Sequence, residues 1–126
     1  MNTNNNTTDT TNNVTTAYEE THAARCLHIY LNNTADIYDR YTVPAIEQTA
    51  AAFKYRNGAK YTPAEYWDVL ERAAKDMHAV KSALQAAARL VKKHDHMTPT
   101  AADIEFVTAD YVAYIIECAQ YEVANV

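Results

Sequence analysis

Glycine is almost missing from this chain: Gly58 stands alone, beside three prolines and two cysteines. Without glycine there is no phosphate-cradling loop and no dinucleotide-binding turn, and a turn-rich β-sandwich is disfavoured on the same ground. Cys26 and Cys118 have no CxxC spacing, which leaves no zinc-ribbon or thioredoxin-type motif. No run approaches the roughly 18 consecutive apolar residues that a membrane span requires. The opening residues lack the apolar core of a signal peptide, so a reduced, cytoplasmic setting is expected. Positive charge is short as well. The formal charge of −5 argues against nucleic acid as a partner, because phosphate binding is dominated by lysine and arginine. Period-two alternation is absent, so no strand is expected.

What is present is helical periodicity. The chain's 126 residues suffice for a single buried core. All but Asp9 and Val14 of residues 2–16 are Asn or Thr, and such a segment has almost nothing to bury. Residues 1–15 are therefore expected to be a disordered low-complexity tail, with 16–126 forming one helical domain. A first helix is expected from Thr16, with Glu19 completing a capping box, to Asn32-Asn33, and its stripe is Ala24, Leu27 and Leu31. A second begins near Thr34 and is expected to break or kink at Pro44, which lacks an N–H and crowds the preceding turn. It then runs to about Tyr55, before Gly58.

The longest stretch opens at Thr62-Pro63-Ala64-Glu65, where an N-cap, a proline at N1 and an acid at N3 agree. From there Tyr66, Leu70, Ala73, Met77, Val80, Leu84, Ala87 and Val91 recur at spacings of four and three, which predicts one continuous helix to about Asp95. A last helix follows Thr98-Pro99, with Thr100 and Asp103 as a capping box. Its seam is Ile104, Val107, Tyr111, Tyr114, Cys118 and Tyr121, broadened by Val112, Ile115, Ile116 and Ala119. Short connections between four helices predict an all-α, up-down four-helix bundle, with the third and fourth helices as its central hairpin and the first antiparallel to the fourth. In that arrangement Cys26 and Cys118 lie at different levels and form no disulfide.

Charge is sorted along the sequence. Lys81, Arg89, Lys92 and Lys93 fall between Met77 and His94 with no acid among them. Asp103, Glu105, Asp110, Glu117 and Glu122 fall after Met97 with no lysine or arginine. An antiparallel hairpin would set the basic end of the third helix, Lys92 and Lys93, beside the acid-rich fourth. Asp103, Asp110 and Glu117 recur every seven residues, two helical turns apart, and form an acidic stripe suited to a basic partner. Tyrosine is the main compositional excess, ten against two Phe and one Trp. Tyrosine is enriched at protein interfaces, and Tyr55 and Tyr61, beside the basic-aromatic run Phe53-Lys54-Tyr55-Arg56, join the candidate binding residues.

Sites of chemistry are sparse. His94-Asp95-His96 offers a histidine pair, His94 and His96, as an alternative metal site. Glu19-x-x-His22 resembles half of a ferritin-like di-iron site. It has no second copy, and the last helix carries Tyr and Ile where carboxylates would be needed. No metal or other cofactor is expected. Arg89 and His94 resemble, in their x4 spacing, the Arg/His pair of helical HEPN-type ribonucleases, and Arg72 and His78 share a permitted spacing. That resemblance implies a metal-independent ribonuclease in which histidine assists attack by the 2′-hydroxyl and arginine holds phosphate, usually across a dimer. The leading expectation is different: a non-enzymatic module that binds another protein, as a small inhibitor or adaptor. In size, acidity and helical character the chain resembles, as a class only, the anti-CRISPR and other anti-defence proteins of phages and mobile elements. A homodimer is the alternative assembly.

Overall fold

The computed structural model describes residues 18–55 and 63–124, and every regular element among them is helical. Helix α1 spans His22–Asn33; α2, Ala35–Ile37, continues through a π-turn, Tyr38–Thr42, into α3, Val43–Tyr55; α4 is Pro63–Lys75, α5 His78–Asp95 and α6 Ala101–Ala124. The expected start of the first helix moves inward. Thr21, not Thr16, is its N-cap, and the Thr21 hydroxyl accepts from the Ala24 amide at 3.1 Å. The tail expected over residues 1–15, the Thr62 cap and the Gly58 stop lie outside the described residues.

Pro44 is accommodated without an interruption of the helix. Ile37, Tyr38 and Val43 all keep right-handed helical angles, and the Val43 amide reaches back five residues to the Tyr38 carbonyl. Widening the turn to i→i−5 spacing takes up the residue whose N–H the proline removes. The same turn buries Thr42, whose hydroxyl lies 2.6 Å from the Tyr111 hydroxyl on α6.

The continuous third helix is not there. The chain breaks at Asp76–Met77, where the Asp76 and Met77 amides bond to the carbonyls of Ala73 and Ala74. Met77 itself is extended, at φ −65° and ψ 135°. Core size explains the break. An unbroken helix from Pro63 to Asp95 would be about 50 Å long, whereas a compact chain of this size has a radius of gyration near 13 Å. Broken, both halves bury their apolar faces: Leu70 and Ala74 in α4, Val80, Leu84, Ala87 and Val91 in α5. Ala73, assigned to the seam from its spacing, is exposed, and its neighbour Ala74 takes the buried place.

The central hairpin and the up-down order also need correction. Helix α6 packs chiefly on α3 and α4, α5 packs chiefly on α1, and α5 touches α6 only sparingly. Helices α1 and α6 run parallel. Thr21 meets Asp103, and seven residues later in both helices His28 meets Asp110. Cys26 therefore lies level with residue 108, about 15 Å below Cys118, and both thiols are free. The buried apolar residues of all the helices form one cluster, from Leu27 and Leu31 through Val80 and Val91 to Ile115 and Ile116. On α6 the aliphatic residues Val107, Val112, Ile115, Ile116 and Ala119 fill it along with Tyr111, while Tyr114 and Tyr121 stay exposed. Aliphatic side chains carry no hydroxyl to satisfy, so they win the interior.

The start of α6 fixes this packing. Thr100 and Asp103 form the reciprocal capping box: the Thr100 amide donates to Asp103 Oδ2 at 2.9 Å, and the Asp103 amide donates to Thr100 Oγ1 at 3.1 Å. Asp103 Oδ1 accepts from the Tyr18 hydroxyl at 2.6 Å and the Thr21 hydroxyl at 2.8 Å. Asp103 is only 3% exposed. The Tyr18 bond first, then the Thr100 amide, hold its carboxyl down from an ordinary value near 3.8 to about 2, against the opposing effect of burial. This group therefore adds stability at any pH above about 4, and the contribution is lost as pH falls through about 2. Asp103→Ala removes the cap and strands two hydroxyls, and is expected to cost about 2–4 kcal/mol in urea unfolding. Asp103→Asn, lacking the charge, is expected to flatten the fall in stability between about pH 4 and pH 2 that the unaltered chain shows.

Candidate functional site

The acidic stripe of α6 turns out to have two different neighbours. Its first two members face α1. Asp103 is consumed by Tyr18, Thr21 and the cap, and Asp110 Oδ2 lies 3.4 Å from His28 Nε2, which also stands 3.5 Å from Glu20 Oε2. Phe106 sits between these levels, its ring 4.6 Å from Tyr18 and 6.3 Å, edge-on, from His28. One heptad further on there is no α1 residue left to meet. Helix α1 ends at Asn33, level with residue 115, and α6 runs on to Ala124, so α6 outruns its parallel neighbour by about 13 Å. Glu117 belongs to that overhang and is exposed.

A groove of about 400 Å³ opens where the overhang begins, lined by Trp67 from α4 and by Asp110, Ala113, Tyr114, Glu117 and Gln120 from α6. A smaller hollow of about 210 Å³ adjoins it across Asp110 and Tyr114, walled by His28, Leu31, Asn32 and Tyr111. Among the described residues no lysine or arginine lines either one. Tyr114 is 43% exposed, and Tyr121, two turns beyond, is 72% exposed. The Cys118 thiol next to the Tyr114 hydroxyl is the main cause of that hydroxyl's raised pKa, with burial second, so the phenol stays protonated. Asp110 and Glu117 thus reach the groove as the spacing of the stripe suggested, while Asp103 does not. Trp67, Tyr114 and Gln120 were not singled out from the sequence as binding residues. Helix lengths were the available signal, since a short first helix cannot cover a 24-residue last one.

The remaining candidate residues lie elsewhere. Lys92 and Lys93 are exposed in the last turn of α5, apart from the groove. The side chain of Tyr55 and all of Tyr61 fall outside the described residues. Arg89 and His94 are both exposed, but five residues on one helix place them about 140° apart, and the His94 ring lies 6.2 Å from Tyr30. Arg72 pairs with Asp68 at 2.6 Å and is separated from His78 by the break between α4 and α5. His96, at φ 57°, is the left-handed residue that ends α5, and Asp95 accepts from the Tyr30 hydroxyl at 2.9 Å. Among the described residues no group of three or more His, Cys, Asp or Glu is placed to hold a metal ion.

One other arrangement has the residue types of a nucleophilic site. Cys26 Sγ lies 3.9 Å from His22 Nε2, with Asp95 nearby. Burial, and then the neighbouring Asp95 charge, push the Cys26 thiol up, the opposite of what an attacking thiolate requires. No protein-family model matches this chain, and no curated protein and no solved structure matches it significantly.

The two thiols should differ in reactivity. Cys118 is half-buried, whereas Cys26 is buried and held protonated. With iodoacetamide at pH 8, intact-mass spectrometry is expected to show one alkylation in the native protein, at Cys118, and the second only after urea is added.

Proposed function

We propose that this chain is a non-enzymatic protein-interaction module, a small inhibitor or adaptor that works through the face of α6 near the end of α1. One observation carries the reading: where α1 ends, Tyr114, Glu117 and Gln120 line a groove with Trp67 on the neighbouring α4. Interface cores are enriched in tyrosine and tryptophan, and such residues at a groove exceed what packing alone calls for. The protonated Cys26 and the divergent Arg89 and His94 supply no counterweight in favour of catalysis. The partner is another protein; the negative charge weighs against nucleic acid, and no helix among the described residues is long and apolar enough to cross a membrane. A phage or mobile-element anti-defence protein, anti-CRISPR-like in class, is the specific form this reading takes, and it rests on size, acidity and helical character. A reduced, cytoplasmic setting belongs to the same proposal and accords with two free cysteines.

Affinity purification of the tagged full-length chain, followed by mass spectrometry, tests this. The expected result is one protein retained in near-stoichiometric amount, with retention falling at least about tenfold for Glu117→Lys and unchanged for Lys92→Glu, since a reversed charge at an interface mainly blocks association. Cleavage of RNA by the purified protein, lost in His94→Ala, would overturn it in favour of the ribonuclease reading.

A further inference from the structure

Taking α6 as an interaction face, we propose that the groove between Trp67 and Tyr114 receives an arginine side chain of the partner protein. The lining has two kinds of group, both of which favour a cation. Trp67 and Tyr114 bring aromatic rings from two different helices, and Asp110 and Glu117 bring carboxylates one heptad apart on α6. A guanidinium stacks on aromatic faces and pairs with carboxylates through a planar fork of donors, which a lysine ammonium does less well. Gln120 adds an amide carbonyl that accepts a further N–H. The volume of about 400 Å³ falls within the roughly 300–1,000 Å³ of pockets that take compact organic groups, so a side chain and its flanking backbone fit.

Among the described residues no lysine or arginine lines the groove itself. From Met97 to Val126 there is no lysine or arginine. Lys92 and Lys93 sit at the end of α5, beside the beginning of α6, and Glu117 is about 25 Å along that helix from Thr100. Asp110 is shared with His28 at the groove's edge, which leaves Glu117 as its unshared carboxylate against the incoming charge.

Trp67 is the chain's single tryptophan, so its fluorescence reports on the groove directly. The probe is an acetylated, amidated alanine peptide bearing three arginines, titrated into the full-length protein beside a twin in which citrulline replaces arginine. The arginine peptide is expected to shift Trp67 emission saturably and to bind at least about tenfold more tightly than the neutral twin. Glu117→Gln, at an exposed position that leaves the fold alone, is expected to weaken the arginine peptide about fivefold or more and to reduce its salt dependence. Equal binding of the twin, indifference to Glu117→Gln, or no saturable signal would overturn the assignment. So would a protein that self-associates in sedimentation until Glu117→Gln disperses it, since a second copy would then be the occupant. If the peptide fails while the tagged chain still retains a partner in a Glu117-dependent way, the arginine assignment is wrong and the interaction reading stands.

Discussion

The carboxylate of Asp103 holds together more of this structure than any other single group. Four hydrogen bonds converge on that residue: two hydroxyls from the segment leading into α1, the Thr100 amide that opens α6, and the Thr100 hydroxyl that receives its own amide. One buried charge thus caps a helix and pins a second helix beside it at a fixed level. Its position also sets the direction of α1. With Thr21 at the height of Asp103 and His28 at the height of Asp110, α1 must run parallel to α6 and stop halfway along it. The parallel arrangement, the short reach of α1 and the open far end of α6 all follow from that contact.

Two irregularities then let a helical chain close around one core. The π-turn at Tyr38–Thr42 absorbs a proline and turns Thr42 inward onto Tyr111, so a breaker residue becomes a packing contact. The break at Asp76–Met77 does the converse, interrupting a sequence whose periodicity has no interruption. Met77 Sδ lies 3.9 Å from the Thr49 hydroxyl on α3, so the residue at the corner is itself packed against a neighbouring helix. Surface ion pairs add little to this frame. Arg40–Asp36 and Arg72–Asp68 are both exposed i,i+4 pairs, and pairs of that kind contribute about 0.3–0.5 kcal/mol each.

Local features were legible in the sequence wherever one or two turns of chain determine them. The Thr100–Asp103 box, the end of α1 at Asn33 and the buried faces of α1 and α5 are of this kind, because capping chemistry and 3.6-residue spacing act within a helix. What required distant information was lost. The four-three spacing through Met77 is compatible with a straight helix and with a bent pair, and only the size of the core decides between them. Heptad spacing placed Asp103, Asp110 and Glu117 on one face correctly as geometry. Whether that face looked at solvent depended on where α1 lay, and no residue of α6 encodes that. The pairing of basic α5 with acidic α6 failed for the same reason: α1 supplies His28 to Asp110, and α5 turns toward α1 instead.

The candidate site follows from a mismatch of lengths and not from a motif. A carboxylate stripe seven residues apart costs little on a solvated helix, but each member must be satisfied once another helix covers it. Under α1 the requirement is met by hydroxyls and an imidazole, and those two levels hold the molecule together. Past Asn33 the same repeat continues with no covering helix, and Glu117 emerges beside Tyr114 and Trp67. The chemistry that binds α1 in the first half, acid and aromatic ring accepting donors from a neighbour, is therefore offered a second time in the second half to whatever lies outside. In the first half Phe106 sits between Tyr18 and His28 while Asp110 meets the imidazole; in the second, Tyr114 and Trp67 flank Glu117. A partner that brings a flat nitrogen donor to Glu117 would repeat the contact that His28 makes with Asp110 one heptad earlier.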